Sequence, residues 1–562
     1  MYHILIRILV FLCIILIITC TKQQKKVISS SIIDLFQDNL NEIEIPIKLN
    51  VQGNIPDYVN GIMIQNGPGV FGTKPQQEQE SRRSYSHIFD GLSKISKYDI
   101  NKDGISFQTK FLRSKWYEDV VKNNKIPPSI TTGAVLNPPF STFENIYAAI
   151  TSSFLFDNTP VNIARLGGRK GNLVATTDAP VLMEFDKSLN TKGRIQYSNS
   201  ITSLNGIELF STAHPISLEN ESINYFLELK LPIPFLKSQN LAHFVSTNTD
   251  KERKILGTYE IDKVPYVHSF GMTDRYIILT IWPLFMNPIN VANGKGFLSQ
   301  LEWMPEIGSE IIIFDRHNTT TTSPIRKFKA PPLFAYHHIN AYENEDNYII
   351  FDVTGYETPD IINGENAFAK IPNILDPAKR KKQARDGRTY RFKLPMTSTK
   401  SDNYACIEIE PIALNTFDQN QQLYTNELLV INENFRRKKY KFTYGFTGFA
   451  GSNENNNGGY NQWALVKTNN DIAVGEGSVG AVTIWSEENC FPTEAQFVPA
   501  NFSVDEDEED NGILLSQVYD GNKKQTFLLG LNAKTMTEVF RAYTGERVPI
   551  AFHGIFIHRD EI

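Results

Sequence analysis

The sequence predicts an all-β protein, either a propeller or a large sandwich. From about residue 45 onward, short runs rich in β-branched and aromatic residues alternate with turn residues. Two hairpins carry a turn signal, at Asp103-Gly104 and at Asp520-Gly521. Helical periodicity is sparse, and the stretch around 360–386 is where short helices are most expected. Many short antiparallel strands over about 500 residues are typical of these two architectures.

The predicted strands follow one another along the whole chain without a linker between domains. The first hairpin, KYDINKDGISFQTKFL, covers 97–112, and the last, GILLSQVYDGNKKQTFLLGLN, covers 512–532. Between them the clearest β-rich runs are YIILTIW (276–282), EIIIFD (310–315), YIIFDV (348–353) and YRFKLP (390–395). Polar stretches predict surface loops at 317–324, 451–462 and 505–510. The last of these, DEDEED, is expected to be a solvated hairpin tip.

The N-terminus predicts a targeting segment at residues 1–26, either a signal peptide or a signal anchor. One arginine, Arg7, precedes an apolar run from Ile8 to Cys20, and lysines follow it. This run is short for a membrane span and suits the apolar core of a signal peptide. We therefore expect a secretory or export route with a lumenal or extracellular destination, and one further domain at 27–562. Glycosylation sequons at Asn220, Asn318 and Asn501 are compatible with that route.

Composition and charge exclude several classes of protein. The net charge of −6, with 41% hydrophobic and 21% charged residues, describes an ordinary globular chain. A slightly acidic chain gives no sign of nucleic-acid binding. Outside the N-terminal segment the chain has only Cys406 and Cys490, so it has neither a disulfide framework nor a Cys-rich metal site. No G-x-G-x-x-G unit stands between a strand and a helix, so no dinucleotide cofactor is expected.

Several histidines share one context, the edge of an apolar strand beside a turn signal. They occur in the strings STAHPISL, VPYVHSFGMT, FAYHHINAYE and VPIAFHGIFI. Their wide spacing matches neither a helical H-E-x-x-H site nor a zinc finger. The ends of inner propeller strands would meet at one axis, whereas a single histidine at a strand end is most often structural. In FAYHHINAYE the adjacent His337 and His338 must point to opposite faces, so only one can face a common centre.

These strings resemble the carotenoid cleavage oxygenase family, including its branch of β-carotene dioxygenases and retinoid isomerohydrolases. NGIMIQNGPGVFG (60–72) is similar to the N-terminal RxGPG motif, and HIFDGLSKISKYDI (87–100) is similar to the HxFDG motif. TAHP, VHSFGMT, FAYHHINAYE and FHGIF resemble the four histidine motifs, in the family's order. The resemblance implies a seven-bladed β-propeller, with a few short helices capping one face and Fe(II) bound on the axis.

The resemblance also implies roles for individual residues. The ligands would be His214, His268, His337 and His553, with His338 facing outward and His87 structural. Three carboxylates would hydrogen-bond to ligand histidines and orient them. These are Glu427 in NELLVIN, where Leu429 replaces the family's proline, Glu494 in FPTEAQFVP, and Asp178 in LVATTDAPVL, where the family has glutamate. Beyond the metal centre, no side chain is expected to be catalytic.

The implied reaction is the O2-dependent cleavage of a conjugated double bond in a carotenoid or apocarotenoid, giving aldehyde or ketone products. Such an apolar polyene arrives from a membrane, so peripheral membrane contact is expected. Apolar stretches at 140–156, 229–236 and 281–288 could form the mouth of a tunnel. The animal enzymes' Pro-Asp-Pro-Cys-Lys segment is absent, and VLNPPFSTF lies near its place. Alternative functions are those of a retinoid isomerohydrolase, a stilbene-cleaving enzyme and a non-catalytic binding propeller. The sequence does not indicate an oligomeric state.

Overall fold

Seven mostly antiparallel sheets surround one axis, so the chain is a seven-bladed β-propeller with only a few short helices. The structure is a computed structural model. It describes residues 31–562, excluding the following ranges and positions: 74–82, 128–140, 142, 145–156, 204–205, 231–238, 288–296, 319, 366, 381–386, 398–405, 421–425, 450–461 and 475–478. Several predicted features lie outside the described residues. They are the N-terminal segment 1–26, most of the apolar stretches 140–156 and 229–236, and most of the loop 451–462.

Blades 1 and 7 close the ring, because each combines strands from both ends of the chain. In blade 1 the C-terminal strand pairs with an N-terminal strand, Gly61 lying opposite His558 and Asn66 opposite His553. The strands of blade 1 are His553–His558, Gly61–Pro68, Ser93–Asn101, Gly104–Phe111 and Ile43–Lys48. The strands of blade 7 are Cys490–Pro499, Gly512–Asp520, Gln525–Asn532, Glu538–Tyr543 and Asn50–Gly53.

Blades 2, 3 and 4 follow in chain order. Blade 2 consists of Asn162–Leu166, Asn172–Thr176, Met183–Phe185 and Thr191–Arg194. Blade 3 consists of Gly206–Ser211, Ile216–Ser217, Glu221–Lys230, Asn240–Asn248 and Arg253–Ile261. Blade 4 consists of Gly271–Met272, Tyr276–Ile281, Ser309–Asp315, Arg326–Ala330 and the parallel strand Ile407–Glu408. A separate ribbon joins Leu284–Met286 to Leu301–Trp303.

Blades 5 and 6 complete the ring. Blade 5 consists of Phe334–Glu343, Tyr348–Tyr356, Arg388–Pro395 and Ile412–Ala413. Blade 6 consists of Glu427–Val430, Phe442–Phe449, Gln462–Asn469 and Val482–Trp485. All six predicted strand segments are confirmed. The Asp103-Gly104 turn is also confirmed, and Gly104 has a φ of +137°, a conformation that side chains other than glycine's rarely adopt.

The helices are all short. Three of them fall within the predicted region 360–386 or beside it, which confirms that expectation for the residues described there. The 3₁₀ helices are Ser31–Phe36, Ile88–Asp90, Phe297–Gln300, Pro305–Ile307, Pro359–Ile361, Glu433–Phe435, Glu506–Glu508 and Arg559–Glu561. The α-helices are Lys115–Tyr117, Ile371–Leu375, Pro377–Arg380 and Asn470–Ala473, and Glu118–Lys122 is a π-helix. None of the described helices is long and apolar enough to span a membrane.

The hydrophobic core lies between neighbouring blades. Met63 and Phe107 of blade 1, for example, pack with Leu515 and Leu528 of blade 7 in one buried cluster. Central strands are buried on both faces, which explains why runs such as YIILTI are continuously apolar and do not alternate with polar residues. This packing fixes each inner strand, and therefore the side chains that the inner strands direct toward the axis.

The acidic run DEDEED is only partly a solvated tip, which corrects the prediction for its last two residues. Asp505, Glu506 and Asp507 are exposed, but Glu509 and Asp510 are buried. The Glu509 carboxylate accepts hydrogen bonds from the backbone N–H groups of Lys441 and Phe442, and Asp510 binds the Lys467 ammonium at 2.6 Å. The acidic run in the sequence does not reveal these partners, because they lie about 40 to 70 residues away in the chain.

Candidate metal centre

Four histidines meet on the propeller axis. They are His214, His268, His337 and His553, and one ring nitrogen of each lies within 4.8 Å of all the others. Their rings pack mostly edge to face, with centroids 4.4 Å apart for the closest pair, His214 and His553. The structure thus brings together the four histidines that the sequence motifs single out.

All seven blades contribute to this centre. His553 comes from blade 1, His337 from the inner strand of blade 5, and His214 and His268 from segments that adjoin the short inner strands of blades 3 and 4. The other three blades contribute the predicted carboxylates, which are Asp178 after the second strand of blade 2, Glu427 in blade 6 and Glu494 in blade 7. The ring closure therefore sets the geometry of the site.

Each of the three carboxylates accepts a hydrogen bond from the Nδ1 atom of one histidine. Glu427 Oε2 lies 2.8 Å from His337 Nδ1, and Glu494 Oε1 lies 2.8 Å from His553 Nδ1. Each carboxylate is held by further donors, Glu427 by the Tyr356 hydroxyl and Glu494 by the backbone N–H of Gly554. A proton held at Nδ1 leaves the Nε2 lone pair free and directed at the centre of the cluster.

Asp178 reaches its histidine directly, although its side chain is one methylene shorter than the glutamate of the family motif. Both of its carboxylate oxygens lie 2.9 Å from His268 Nδ1. The Tyr266 hydroxyl donates to Asp178 Oδ2 at 2.9 Å, and the backbone N–H of Ala213 donates to Oδ1 at 3.2 Å. These two extra donors fix the carboxylate against the imidazole.

His214 differs from the other three, because among the described residues no carboxylate contacts its Nδ1 atom. Instead, the amide nitrogen of Asn162 lies 3.3 Å from His214 Nδ1 and donates to the backbone carbonyl of Ala213 at 3.1 Å. On the other side of the ring, His214 Nε2 lies 3.1 Å from His268 Nε2. His214 is therefore positioned by an amide and by the segment that leads into the short strand Ile216–Ser217.

The neighbouring His338 points away from the cluster, as strand alternation and the motif resemblance together predict. Its Nδ1 atom lies 2.9 Å from Ser269 Oγ and its Nε2 atom 3.1 Å from Thr280 Oγ1, and its ring stacks on Phe351. His87 also lies outside the cluster. Its Nδ1 atom accepts a hydrogen bond from the backbone N–H of Phe89 and caps a 3₁₀ helix.

Burial favours the neutral form of two histidines of this centre, His214 and His553. Burial lowers the pKa of His214 and of His553 below the ordinary value, and the neighbouring imidazoles lower the pKa of His214 further. Burial raises the pKa of Glu427, but the adjacent His337, the Tyr356 hydroxyl and the backbone N–H of Leu428 together outweigh this effect, so that the net pKa is lowered and the carboxylate is charged. Burial and the adjacent Asp178 raise the pKa of Tyr266, which therefore remains a neutral donor. Neutral imidazoles beside charged carboxylates are the protonation states that metal binding requires.

The donor set fits a metal ion. Two nitrogens at right angles around an ion with bonds of about 2.1 Å would be about 3.0 Å apart, close to the separation of His214 Nε2 and His268 Nε2. His337 Nε2 is buried and has no hydrogen-bond partner among the described residues. The Nδ1 atoms of three histidines face carboxylates, so the Nε2 lone pairs of these histidines converge on the centre of the cluster. A cation at that position would satisfy them. Imidazole suits Fe, Zn and Cu alike, so the ligands alone do not select the metal.

Two cavities lined by described residues reach the cluster. The first has a volume of about 150 Å³ and contacts His268, His337 and His553 among mostly apolar side chains. The second, of about 710 Å³, contacts His214, His337 and His553 and is lined by charged residues of both signs, including Arg165 and Glu433. An apolar ligand would bind in the first cavity, where the aromatic and aliphatic walls exclude water.

Sequence reasoning missed the residues that support the carboxylates and His214. Tyr266 had a usable signal, because it lies two residues before His268 and two such positions in an extended segment share a face. Tyr356 and Asn162 had none, since their contacts with Glu427 and His214 join distant parts of the chain.

Comparison with curated proteins finds relatives along nearly the whole chain. The mitochondrial carotenoid-cleaving dioxygenase of Macaca fascicularis is 27% identical, covering 91% of this chain and 92% of its own length. The β,β-carotene 15,15′-dioxygenase of Gallus gallus is 26% identical, covering 94% and 98%. The carotenoid isomerooxygenase of Galleria mellonella is 24% identical, covering 92% and 95%.

The predicted secretory or export route is wrong on this comparison, because the Macaca fascicularis relative is a mitochondrial protein. The reason lies in the charge pattern of the N-terminus. It carries basic residues and has no acidic residue before Asp34. Secretory signals share this pattern with mitochondrial transit peptides, so a short apolar run does not identify a compartment. The assignment of 1–26 as a signal peptide or anchor stays a prediction.

Comparison with solved structures supports the same fold. The cobalt-substituted Synechocystis apocarotenoid oxygenase superimposes with a TM-score of 0.71 at 19% identity, covering 94% of this chain and 99% of that one. Among family models, the one described as retinal pigment epithelial membrane protein matches residues 36–558. Together with the seven blades and the four-histidine centre, this match shows that the chain belongs to the retinal pigment epithelial membrane protein family of carotenoid oxygenases.

Proposed function

We propose that this protein is a non-haem Fe(II) dioxygenase that cleaves a conjugated double bond of a carotenoid or apocarotenoid, giving aldehyde or ketone products. The observation that carries the proposal is the position of the four-histidine cluster at the wall of an apolar cavity. The membership of the chain in a family with carotenoid-cleaving relatives supports the same substrate class.

The residues that would hold the iron are His214, His268, His337 and His553. Three of them are oriented by carboxylates, so their Nε2 atoms are fixed before the ion binds. Four neutral imidazoles add no negative charge, and the three carboxylates supply the compensating charge from outside the ligand set. Bound iron would supply the activation of O2 that cleavage requires.

The remaining contributions of the chain are positioning and exclusion of water. Rings such as Phe89, Phe446 and Phe552 line the cavity beside the histidines and give it an apolar wall. Holding the double bond next to the metal centre supplies the proximity on which the reaction depends. No side chain needs to donate or accept a proton, because O2 provides both product oxygens.

Two further parts of the proposal concern the whole molecule. Residues 27–562 form one propeller domain, since strands from both ends of the chain close blades 1 and 7. The protein contacts membranes peripherally, because its apolar substrate partitions into lipid.

A retinoid isomerohydrolase is the second candidate, favoured by the description of the matching family model. The purified protein, loaded with Fe(II), should be given β-carotene, a β-apo-carotenal and a retinyl ester under isotopically labelled O2, without NAD(P)H. We expect carbonyl products from a polyene, with labelled oxygen in the products. Conversion of the retinyl ester alone, without consumption of O2, would instead establish the isomerohydrolase. Products formed only when NAD(P)H is added would contradict both.

A further inference from the structure

Tyr336 places an unpartnered hydroxyl in the apolar cavity, directly before His337 in the chain. It lines this cavity together with His268 and His337, and 7% of its surface is exposed. Among the described residues no group hydrogen-bonds to its hydroxyl, yet this oxygen is not one of the fully enclosed, unpartnered polar atoms. The hydroxyl therefore keeps accessible surface, and the space that it faces is the cavity that the residue lines.

A β-bulge explains how Tyr336 and His337 can line the same cavity. The strand Phe334–Glu343 shifts its register after Ala335, so that residues 336 and 337 together lie opposite Thr354 alone. Two residues opposite one define a bulge, which interrupts the regular alternation and changes the direction of a side chain. In a regular strand these two neighbours would face opposite sides of the sheet.

The Tyr336 ring lies beside two histidines of the cluster. Its centroid is 5.2 Å from that of His268 and 5.9 Å from that of His337. Phe334 at 5.0 Å and Phe89 at 6.4 Å pack edge to face against the same ring. These contacts fix the ring next to the metal centre, so its hydroxyl belongs to the wall that a reactant meets there.

Two other tyrosine hydroxyls near the cluster are already engaged. Tyr266 donates to Asp178 at 2.9 Å, and Tyr356 donates to Glu427 at 2.6 Å. Both tyrosines hold a carboxylate that orients a histidine. The Tyr336 hydroxyl has no such protein partner among the described residues, so its O–H donor is available to a molecule in the cavity.

We propose that the Tyr336 hydroxyl donates a hydrogen bond to O2 where it meets the double bond beside the metal centre. The double bond that is cleaved carries no acceptor, whereas both atoms of O2 carry lone pairs. This hydrogen bond strengthens as O2 gains electron density, because charged acceptors bind a donor more strongly than neutral ones. The hydroxyl keeps its proton, so O2 still provides both product oxygens. This inference rests on the proposed function, because it assigns a contact to the second reactant of the same reaction.

The test uses the iron-loaded full chain and nitric oxide, a diatomic probe that binds Fe(II) reversibly in place of O2. The dissociation constants of nitric oxide and of β-carotene are measured without O2, after iron content has been matched. The KM for O2 is then measured with the polyene that the wild type cleaves fastest. The variant Tyr336→Phe keeps the ring and removes the hydroxyl. Tyr225→Phe is the matched control, because the Tyr225 hydroxyl is also unpartnered but is fully buried in blade 3 and lines neither cavity.

We expect Tyr336→Phe to weaken nitric oxide binding by about 3- to 10-fold, the usual net effect of one hydrogen bond, and to raise the KM for O2 by a similar factor. The binding of β-carotene should stay within about twofold of the wild type, because the apolar wall is preserved. Pulsed electron paramagnetic resonance should detect an exchangeable proton beside nitric oxide in the wild type, and this signal should be lost in Tyr336→Phe. Tyr225→Phe should match the wild type in every measurement.

Unchanged nitric oxide affinity in Tyr336→Phe would overturn the inference, as would a loss confined to iron content or to polyene binding. The two proposals fail separately. Polyene cleavage by the wild type, with wild-type nitric oxide affinity in Tyr336→Phe, would reject the role of Tyr336 and retain the dioxygenase. Weaker nitric oxide binding in Tyr336→Phe, without cleavage of any polyene by the wild type, would retain the contact and reject the dioxygenase.

Discussion

Replacing Asp178 by asparagine should weaken iron binding as strongly as replacing Glu427 by glutamine. Sequence reasoning left open whether the shorter Asp178 side chain reaches its histidine directly or through water, and a water-mediated contact would give a mild effect. In the structure both carboxylate oxygens lie 2.9 Å from His268 Nδ1. Asparagine keeps an oxygen for His268 and an N–H for the Tyr266 oxygen, so the substitution removes the charge and preserves the shape.

The expected magnitude follows from the role of the contact. Loss of such a carboxylate costs about 10- to 100-fold in metal affinity, which is about 1.4 to 2.8 kcal/mol. Asp178→Glu should also lose affinity, because the extra methylene must displace His268 or Tyr266 from a filled space.

The assay titrates Fe(II) away from each purified variant with a graded chelator and measures the retained iron. Asp315→Asn is the matched control, since Asp315 pairs with the exposed Arg275 and contacts no histidine of the cluster. Wild-type iron affinity in Asp178→Asn, beside a clear loss in Glu427→Gln, would refute the direct contact.

Two other predictions concern the adjacent histidines and a buried acid. His337→Ala should abolish iron retention. His338→Ala should retain iron near the wild-type level, because the imidazole of His338 contacts Ser269 and Thr280 and not the centre of the cluster. Loss of iron in His338→Ala, with iron retained in His337→Ala, would contradict this assignment. Burial raises the pKa of Glu509 from 4.5 to about 7, so the folded protein binds this proton more tightly than the unfolded chain. The resulting stabilisation is complete below about pH 4.5 and is lost as the pH rises to about 7, by at most about 3 kcal/mol. Denaturant unfolding at about pH 5 and pH 8 should show a smaller change in Glu509→Gln than in wild type, and an unchanged difference would contradict the raised pKa.

The sequence predicted the repeated strands and the four clustered histidines, because both depend on local patterns. Alternation within a strand showed that only one of His337 and His338 could face the centre, and the resemblance selected His337. The sequence motifs around His214, His268 and His553 identified the other three histidines of the cluster. A single histidine without its motif would not have been identified. The number of blades came from the resemblance, since the chain has no tidy internal repeat.

Contacts between distant segments could not be predicted in this way. The buried end of DEDEED depends on Lys441, Phe442 and Lys467, which the local acidic pattern does not reveal. The contact of Asn162 with His214 likewise joins two blades. The length of the Asp178 side chain left its reach open, because the reach depends on how closely blades 2 and 4 approach each other.

The most direct test of the account measures iron content and polyene cleavage together in the same preparations. Wild-type protein should retain one iron per chain after dialysis, and its rate of polyene cleavage should rise and fall with iron content as the metal is removed and restored. Alanine variants of His214, His268, His337 and His553 should retain neither iron nor activity while remaining folded by circular dichroism. Cleavage that continues without iron, or full iron content in a chain lacking one of these histidines, would contradict the assignment of the four-histidine cluster as the catalytic metal centre.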